Sequence, residues 1–107
     1  MPIKRTHRIT QKKFLAENKN LKILDLGCSL ANYWKEANNF ADIDNHYESF
    51  KKLNLKYTKI EPNKKLPFKD KEFDYVILSH VLEHVPNLIE FKDELIRIAK
   101  SGYIELP

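Results

Sequence analysis

Apolar residues in this chain gather in short, nearly unbroken runs. Leu21-Lys22-Ile23-Leu24-Asp25-Leu26 stops at Gly27, and Phe73-Asp74-Tyr75-Val76-Ile77-Leu78 stops at Ser79-His80. Runs of this length that contain β-branched residues and end at turn formers predict strands buried on both faces, as in a parallel sheet. Phe40-Ala41-Asp42-Ile43-Asp44 and Lys56 to Ile60 are weaker strand candidates, and Tyr103-Ile104-Glu105-Leu106 begins a further one.

Helical spacing fills the gaps between these runs. Asn32 to Asn38 has room for about two turns at 3.6 residues each. Between Asp44 and Leu53, Tyr47, Phe50 and Leu53 recur every three residues, which predicts a short amphipathic helix. The clearest helix follows Asn87, which with Glu90 forms a capping pair. Leu88, Phe91, Leu95 and Ile98 share one apolar face, and Gly102 is placed to stop the helix as a left-handed cap. Strands alternating with helices predict an α/β fold with right-handed crossovers, a parallel sheet and helices on both faces.

Composition narrows this picture. A chain of 107 residues holds one domain, and 42% hydrophobic with 32% charged residues describes a globular protein rather than a disordered one. No apolar run approaches a membrane span, and the basic start is not followed by the apolar stretch of a signal peptide. Cys28 is the sole cysteine, which excludes an internal disulfide, fits a reducing compartment and makes the cytoplasm the default location. Charge divides the chain: up to Lys22 there are seven Lys and Arg against Glu17 alone, while the remainder is close to neutral. Residues 1–20 read as a basic arm or leader helix and 21–107 as the domain. Phe14 is the only aromatic residue in the arm, so a solvated helix is favoured over a nucleic-acid contact.

Candidate chemistry lies where the strands end, the edge at which open α/β sheets bind their ligands. Gly27 permits a tight turn and close backbone approach after Asp25. A carboxylate at the end of the second strand, Asp42 or Asp44, offers two oxygens to a pair of ribose hydroxyls; the competing role is a helix N-cap. Asp74 lies inside its strand run and reads as structural. His80-Val81-Leu82-Glu83-His84 has the H-x-x-E-H spacing of an inverted zinc-protease signature, but that reading needs a third ligand and a cleft, and only a short helix remains downstream. No metal site is expected.

Two stretches together resemble the class I S-adenosylmethionine-dependent methyltransferases of the type 11 kind. Leu66 to Val85, LPFKDKEFDYVILSHVLEHV, is similar to the fourth-strand region of that family, and Ile23 to Ala31 resembles its cofactor motif, an acidic residue followed by G-x-G-x-G, with Ser29 and Ala31 in place of the second and third glycines. The resemblance implies a Rossmann-like sheet of about five strands without the family's usual last two. It implies S-adenosylmethionine as cofactor, held by the Asp25, Gly27, Cys28, Ser29 and Ala31 loop, with Asp42 or Asp44 on the ribose. Glu61, or Asn63, would lie near the adenine, and Ser79 and His80 near the methionine moiety. His84 is a candidate general base, with a histidine packed between helix and sheet as the alternative. A small-molecule methyl acceptor is expected, with no membrane and no nucleic-acid partner. The other reading is a catalytically inactive, methyltransferase-like binding or regulatory module, motivated by the substituted glycines. The strand from Tyr103 to Leu106 is expected to leave an open edge, through which the chain would self-associate or be only marginally stable. Elemental analysis of the purified chain is expected to find no stoichiometric zinc; zinc lost on changing His80 and His84 would reinstate the metalloprotease spacing.

Overall fold

Every strand predicted from the apolar runs forms, and all of them run in the same direction. The computed structural model describes residues 3–4, 8–28, 32–61, 65–79 and 87–105. In chain order these give β1 (Ile3–Lys4), α1 (Arg8–Glu17), β2 (Ile23–Leu26), β3 (Asn39–Asp42), α2 (Tyr47–Lys52), β4 (Lys56–Lys59), β5 (Phe73–Ser79), α3 (Leu88–Ile98) and β6 (Ala99–Glu105). The sheet order is β1-β6-β5-β2-β3-β4, with every pairing parallel. From β2 the chain steps outward through β3 and β4, then returns to lay β5 on the other side of β2. That reversal puts the topological switch point between β2 and β5, where an open α/β sheet leaves a crevice at its carboxyl edge.

Alternation along the central strands feeds two separate cores. Ile23, Tyr75, Ile77 and Tyr103 pack with Leu15 of α1, Phe50 of α2 and Trp34 on one face. Leu24, Leu26, Val76 and Leu78 pack with Leu95 and Ile98 of α3 on the other. The period of two along a strand sends successive side chains to opposite faces, so a central strand with helices above and below must be apolar throughout.

Four expectations are corrected. The stretch from Asn32 to Asn38 is not helical. Its Trp34 amide goes to a side chain on β2, and Asn38 clamps the start of that strand, accepting from Ile23 N–H at 2.8 Å and donating to Leu21 O at 2.7 Å. Gly102 does not cap α3. The helix ends at Ile98, passes directly into β6, and Lys71 serves its last carbonyls. The Lys71 backbone N–H donates to Arg97 O at 2.6 Å, and its Nζ donates to Ile96 O at 2.6 Å and Ala99 O at 3.2 Å. The amphipathic faces are also narrower than the spacing suggests, since Tyr47, Leu53 and Leu88 stay exposed while Phe50, Leu95 and Ile98 are buried.

The fourth correction concerns the edge. The N-terminal residues read as part of a basic arm supply β1, which lies beside β6 with Ile3 opposite Gly102 and Lys4 opposite Tyr103. The edge strand expected to stand open is therefore paired over those two positions, which adds a short sixth strand to the sheet among the described residues.

Gly102 earns its place inside β6 instead. A Cβ there would lie 2.7 Å from Val76 O and 2.8 Å from Val76 Cγ1, closer than packed atoms can approach, and the carbonyl belongs to the neighbouring strand backbone. Gly102→Ala is expected to destabilise the fold by about 1–3 kcal/mol, the usual cost of overpacking a tight core. A urea titration measures this; an unchanged midpoint would mean that β5 and β6 separate easily.

Candidate functional site

The site grows from a carboxylate that the sheet takes out of water. Asp25 is third in β2, alternating with Leu24 and Leu26, so it faces the α1 side and is buried there. Its Oδ2 accepts the Trp34 backbone N–H at 2.8 Å. Burial raises its pKa from 3.8 to about 7, opposed by the Trp34 amide and by the charges of Arg8 and Lys12. Arg8 and Lys12 lie over the Trp34 ring, at 4.5 and 4.6 Å from its centroid. Lys12 also pairs with Glu36 at 3.1 Å. Trp34 thus links α1 and Asp25, its ring under the cations of the helix and its backbone N–H on the carboxylate.

Past Asp25 the chain turns toward β3. Gly27 has φ of 80°, a left-handed conformation that glycine adopts without steric cost. Its N–H donates to Ala41 O at 2.7 Å, and the next N–H, of Cys28, approaches the same carbonyl at 3.3 Å. These bonds bring the end of β2 against the residue preceding Asp42. The Asp42 Oδ1 accepts Ile43 N–H at 2.8 Å, and burial raises its pKa. The Cys28 thiol is buried, and desolvation with the nearby Asp25 and Asp42 charges raises its pKa far above the ordinary value, so it is a poor nucleophile.

The other predicted residues divide. Asp44 follows Asp42 into the turn and is open to solvent. Glu61 is exposed and pairs with Lys59 at 3.2 Å. Ser79 closes β5 and donates to Glu105 Oε1 at 2.6 Å. Ser29, Ala31, His80 and His84 lie outside the described residues. Asp74 is structural, as expected: its Oδ2 accepts Lys22 N–H at 2.8 Å and its Oδ1 takes Lys100 Nζ at 3.1 Å. Among the described residues, Asp42, Asp44 and His46 bring one potential ligand atom each within 4.8 Å of one another; surface groups of this kind are common without an ion.

Sequence reasoning passed over three residues at this edge. Trp34 sits in a polar stretch, and only its being the single tryptophan marks it. Arg8 belongs to the charge run read as solvated, yet it pairs with Glu105. Glu105 itself accepts from Ser79, from Tyr103 OH at 3.1 Å and from Arg8. Burial opposes its ionisation, but the Ser79 and Tyr103 hydrogen bonds and the Arg8 guanidinium together hold its pKa below the ordinary value. A carboxylate held this way is an anchor rather than a proton acceptor at neutral pH.

The Asp25 shift has a sign that can be tested. Its folded pKa lies above its unfolded one, so between about 4 and about 7 the folded chain binds the extra proton. Its contribution to stability is then complete below the unfolded value and is lost as pH rises through about 7. Asp25→Asn, which can still accept the Trp34 amide, is expected to flatten this part of the profile in denaturant titrations at stepped pH. A variant that falls with pH as steeply as the parent chain would place the proton elsewhere.

Comparisons with known proteins bear on the same segment. A profile of the methyltransferase-domain family matches residues 24–104. An uncharacterized protein of Methanocaldococcus jannaschii, MJ0638, is 38% identical over 93 residues, spanning 84% of this chain and 40% of that protein. The crystal structure of a SAM-dependent methyltransferase from Aquifex aeolicus superposes with a TM-score of 0.61 at 23% identity, covering 83% of this chain and 58% of that one, and establishes the shared fold. The chain thus spans well under two thirds of either protein's length. With the Asp25–Gly27 turn and strands β3, β4 and β5 all inside the matched segment, the chain belongs to the methyltransferase-domain family.

Proposed function

We propose that the chain binds S-adenosylmethionine at the carboxyl edge of β2, β3 and β5 and serves methyl transfer to a small-molecule oxygen or nitrogen nucleophile. The observation that carries this reading is the contact between the Gly27 turn and β3. It puts a left-handed glycine and the Asp42 carboxylate side by side at the carboxyl edge, held there by the Gly27 and Cys28 N–H groups on the Ala41 carbonyl. That set suits a nucleoside bearing an amino-acid tail, with backbone free to approach the tail and a carboxylate beside the ribose. When bound, the sulfonium supplies the reactive methyl group, which leaves the protein mainly the task of positioning.

Each residue has a part in this reading. Asp25 holds the loop through Trp34 rather than touching the ligand. Gly27 and Cys28 line the methionine side, with Ser29 and Ala31 as further candidates for it; Asp42, or Asp44 in its place, takes the ribose hydroxyls. Glu61 is the candidate for the adenine, Ser79 and His80 for the methionine group, and His84 for a proton acceptor near the methyl acceptor. The buried free thiol of Cys28 supports a reducing, cytoplasmic setting. No helix among the described residues is long and apolar enough to cross a membrane.

Calorimetric titration with S-adenosylmethionine and its demethylated product tests the reading. Micromolar binding is expected, and Asp42→Ala should weaken it by roughly 1.5–3 kcal/mol, the range for hydrogen bonds to a charged group. Loss on Asp44→Ala instead would shift the ribose contact by two residues. A folded chain that gives no heat with either ligand would favour the binding module, in which Ser29 and Ala31 have cost the loop its affinity.

A further inference from the structure

The turn that carries both Asp42 and Asp44 is held by one side chain that the cofactor reading does not use. Tyr57 lies on β4 directly beside Phe40 in the parallel register of β3 and β4. Its ring is buried and stacked on Phe50, with centroids 4.9 Å apart and planes 15° from parallel. The His46 ring meets it edge-on at 6.1 Å. This packing points the phenol past the end of β3. There the hydroxyl donates to the Asp44 carbonyl and lies 3.4 Å from the Asp42 carbonyl.

Each of those carbonyls also has a local backbone partner. The Asp42 carbonyl accepts Ile60 N–H at 2.9 Å and so belongs to the sheet, while the Asp44 carbonyl accepts His46 N–H at 3.2 Å and so belongs to the turn. Tyr57 is thus the group that ties the turn back to the sheet. Burial and the Asp42 charge push its pKa up to about 12, so the hydroxyl keeps its proton at physiological pH.

We propose that Tyr57 is a positioning residue for the ribose contact: by fixing the Asp42–Asp44 turn, its hydroxyl sets how well the site tells a ribose diol from a deoxyribose. This rests on the assignment of Asp42 or Asp44 to the ribose. Two vicinal hydroxyls require a carboxylate held in one orientation, whereas the rest of the nucleoside makes no such demand on this turn. Loosening the turn should therefore weaken the ribose ligand selectively.

Tyr57→Phe removes the hydroxyl and keeps the ring that stacks on Phe50. Calorimetry at neutral pH with the demethylated cofactor product and with its 2′-deoxy counterpart gives the readout, alongside a thermal melt. The parent chain should prefer the ribose ligand. In the variant that ligand should bind about three- to tenfold more weakly, the effect of losing one neutral hydrogen bond, while the deoxy ligand changes less than twofold. Tyr57→Met, which also lacks the hydroxyl, should lose the same preference and guards against an effect peculiar to one replacement. Equal weakening of both ligands, or an unchanged preference, would overturn the role of Tyr57 while leaving the ribose contact standing. A parent chain that binds the two ligands equally, or neither, would overturn the ribose contact itself and this proposal with it.

Discussion

Burying the Asp25 carboxylate on β2 is the constraint around which the carboxyl edge of the sheet is arranged. A carboxylate removed from water must find hydrogen-bond donors and positive charge or give up its ionisation. Here the Trp34 amide supplies the donor, which holds Trp34 against β2. Arg8 and Lys12 supply the charge from α1, where both also lie over the Trp34 ring. Helix α1 is held there by more than charge, because Leu15 is buried in the same core and Gln11 accepts from the Tyr75 hydroxyl. One buried acid thus links the N-terminal helix, the β2 turn and the core beneath them.

A second carboxylate plays the matching part on the other side of β5. Glu105 gathers Ser79, Tyr103 and Arg8, so the ends of β5 and β6 are tied to each other and to α1. Arg8 therefore touches both halves of the edge, resting on Trp34 and pairing with Glu105. Behind the edge, Arg97 donates to Phe68 O and Leu66 O and pairs with Glu94, fixing the segment that enters β5 against α3. Backbone groups that leave the sheet are met by specific side chains in this way, as buried polar groups require.

The sequence carried the fold wherever local pattern decides structure. The apolar runs at β2 and β5, the Asn87 cap with its bond from Glu90 N–H and the turn at Gly27 all form as their residue types predict. What could not be read depends on partners distant in sequence. Lys71 caps α3 from 25 residues away, which left Gly102 free to bring β6 close to Val76, a need that no local pattern reveals. Asn32 to Asn38 has helical length but surrenders its amide to Asp25. The basic arm reads as a solvated face because its salt bridge to Glu105 spans most of the chain and its contact with Trp34 lies well beyond any local pattern. At the carboxyl edge, strand-end position and the family resemblance named Asp25, Gly27, Asp42 and Ser79 as candidates, and neither could reveal that Tyr57 reaches the turn from the neighbouring strand.

If the edge built on Asp25 is where the cofactor lies, ligand contacts must cluster there and nowhere else on the sheet. Amide chemical shifts followed by NMR during titration with the demethylated cofactor product test this directly. The largest changes should fall at Gly27, Cys28 and Trp34, at Asp42 to Asp44 and at Ser79, with little change along Ala99 to Ser101 at the opposite edge. Changes concentrated at that opposite edge or on the exposed face of α3, with Gly27 and Asp42 unmoved, would contradict the assignment of the site.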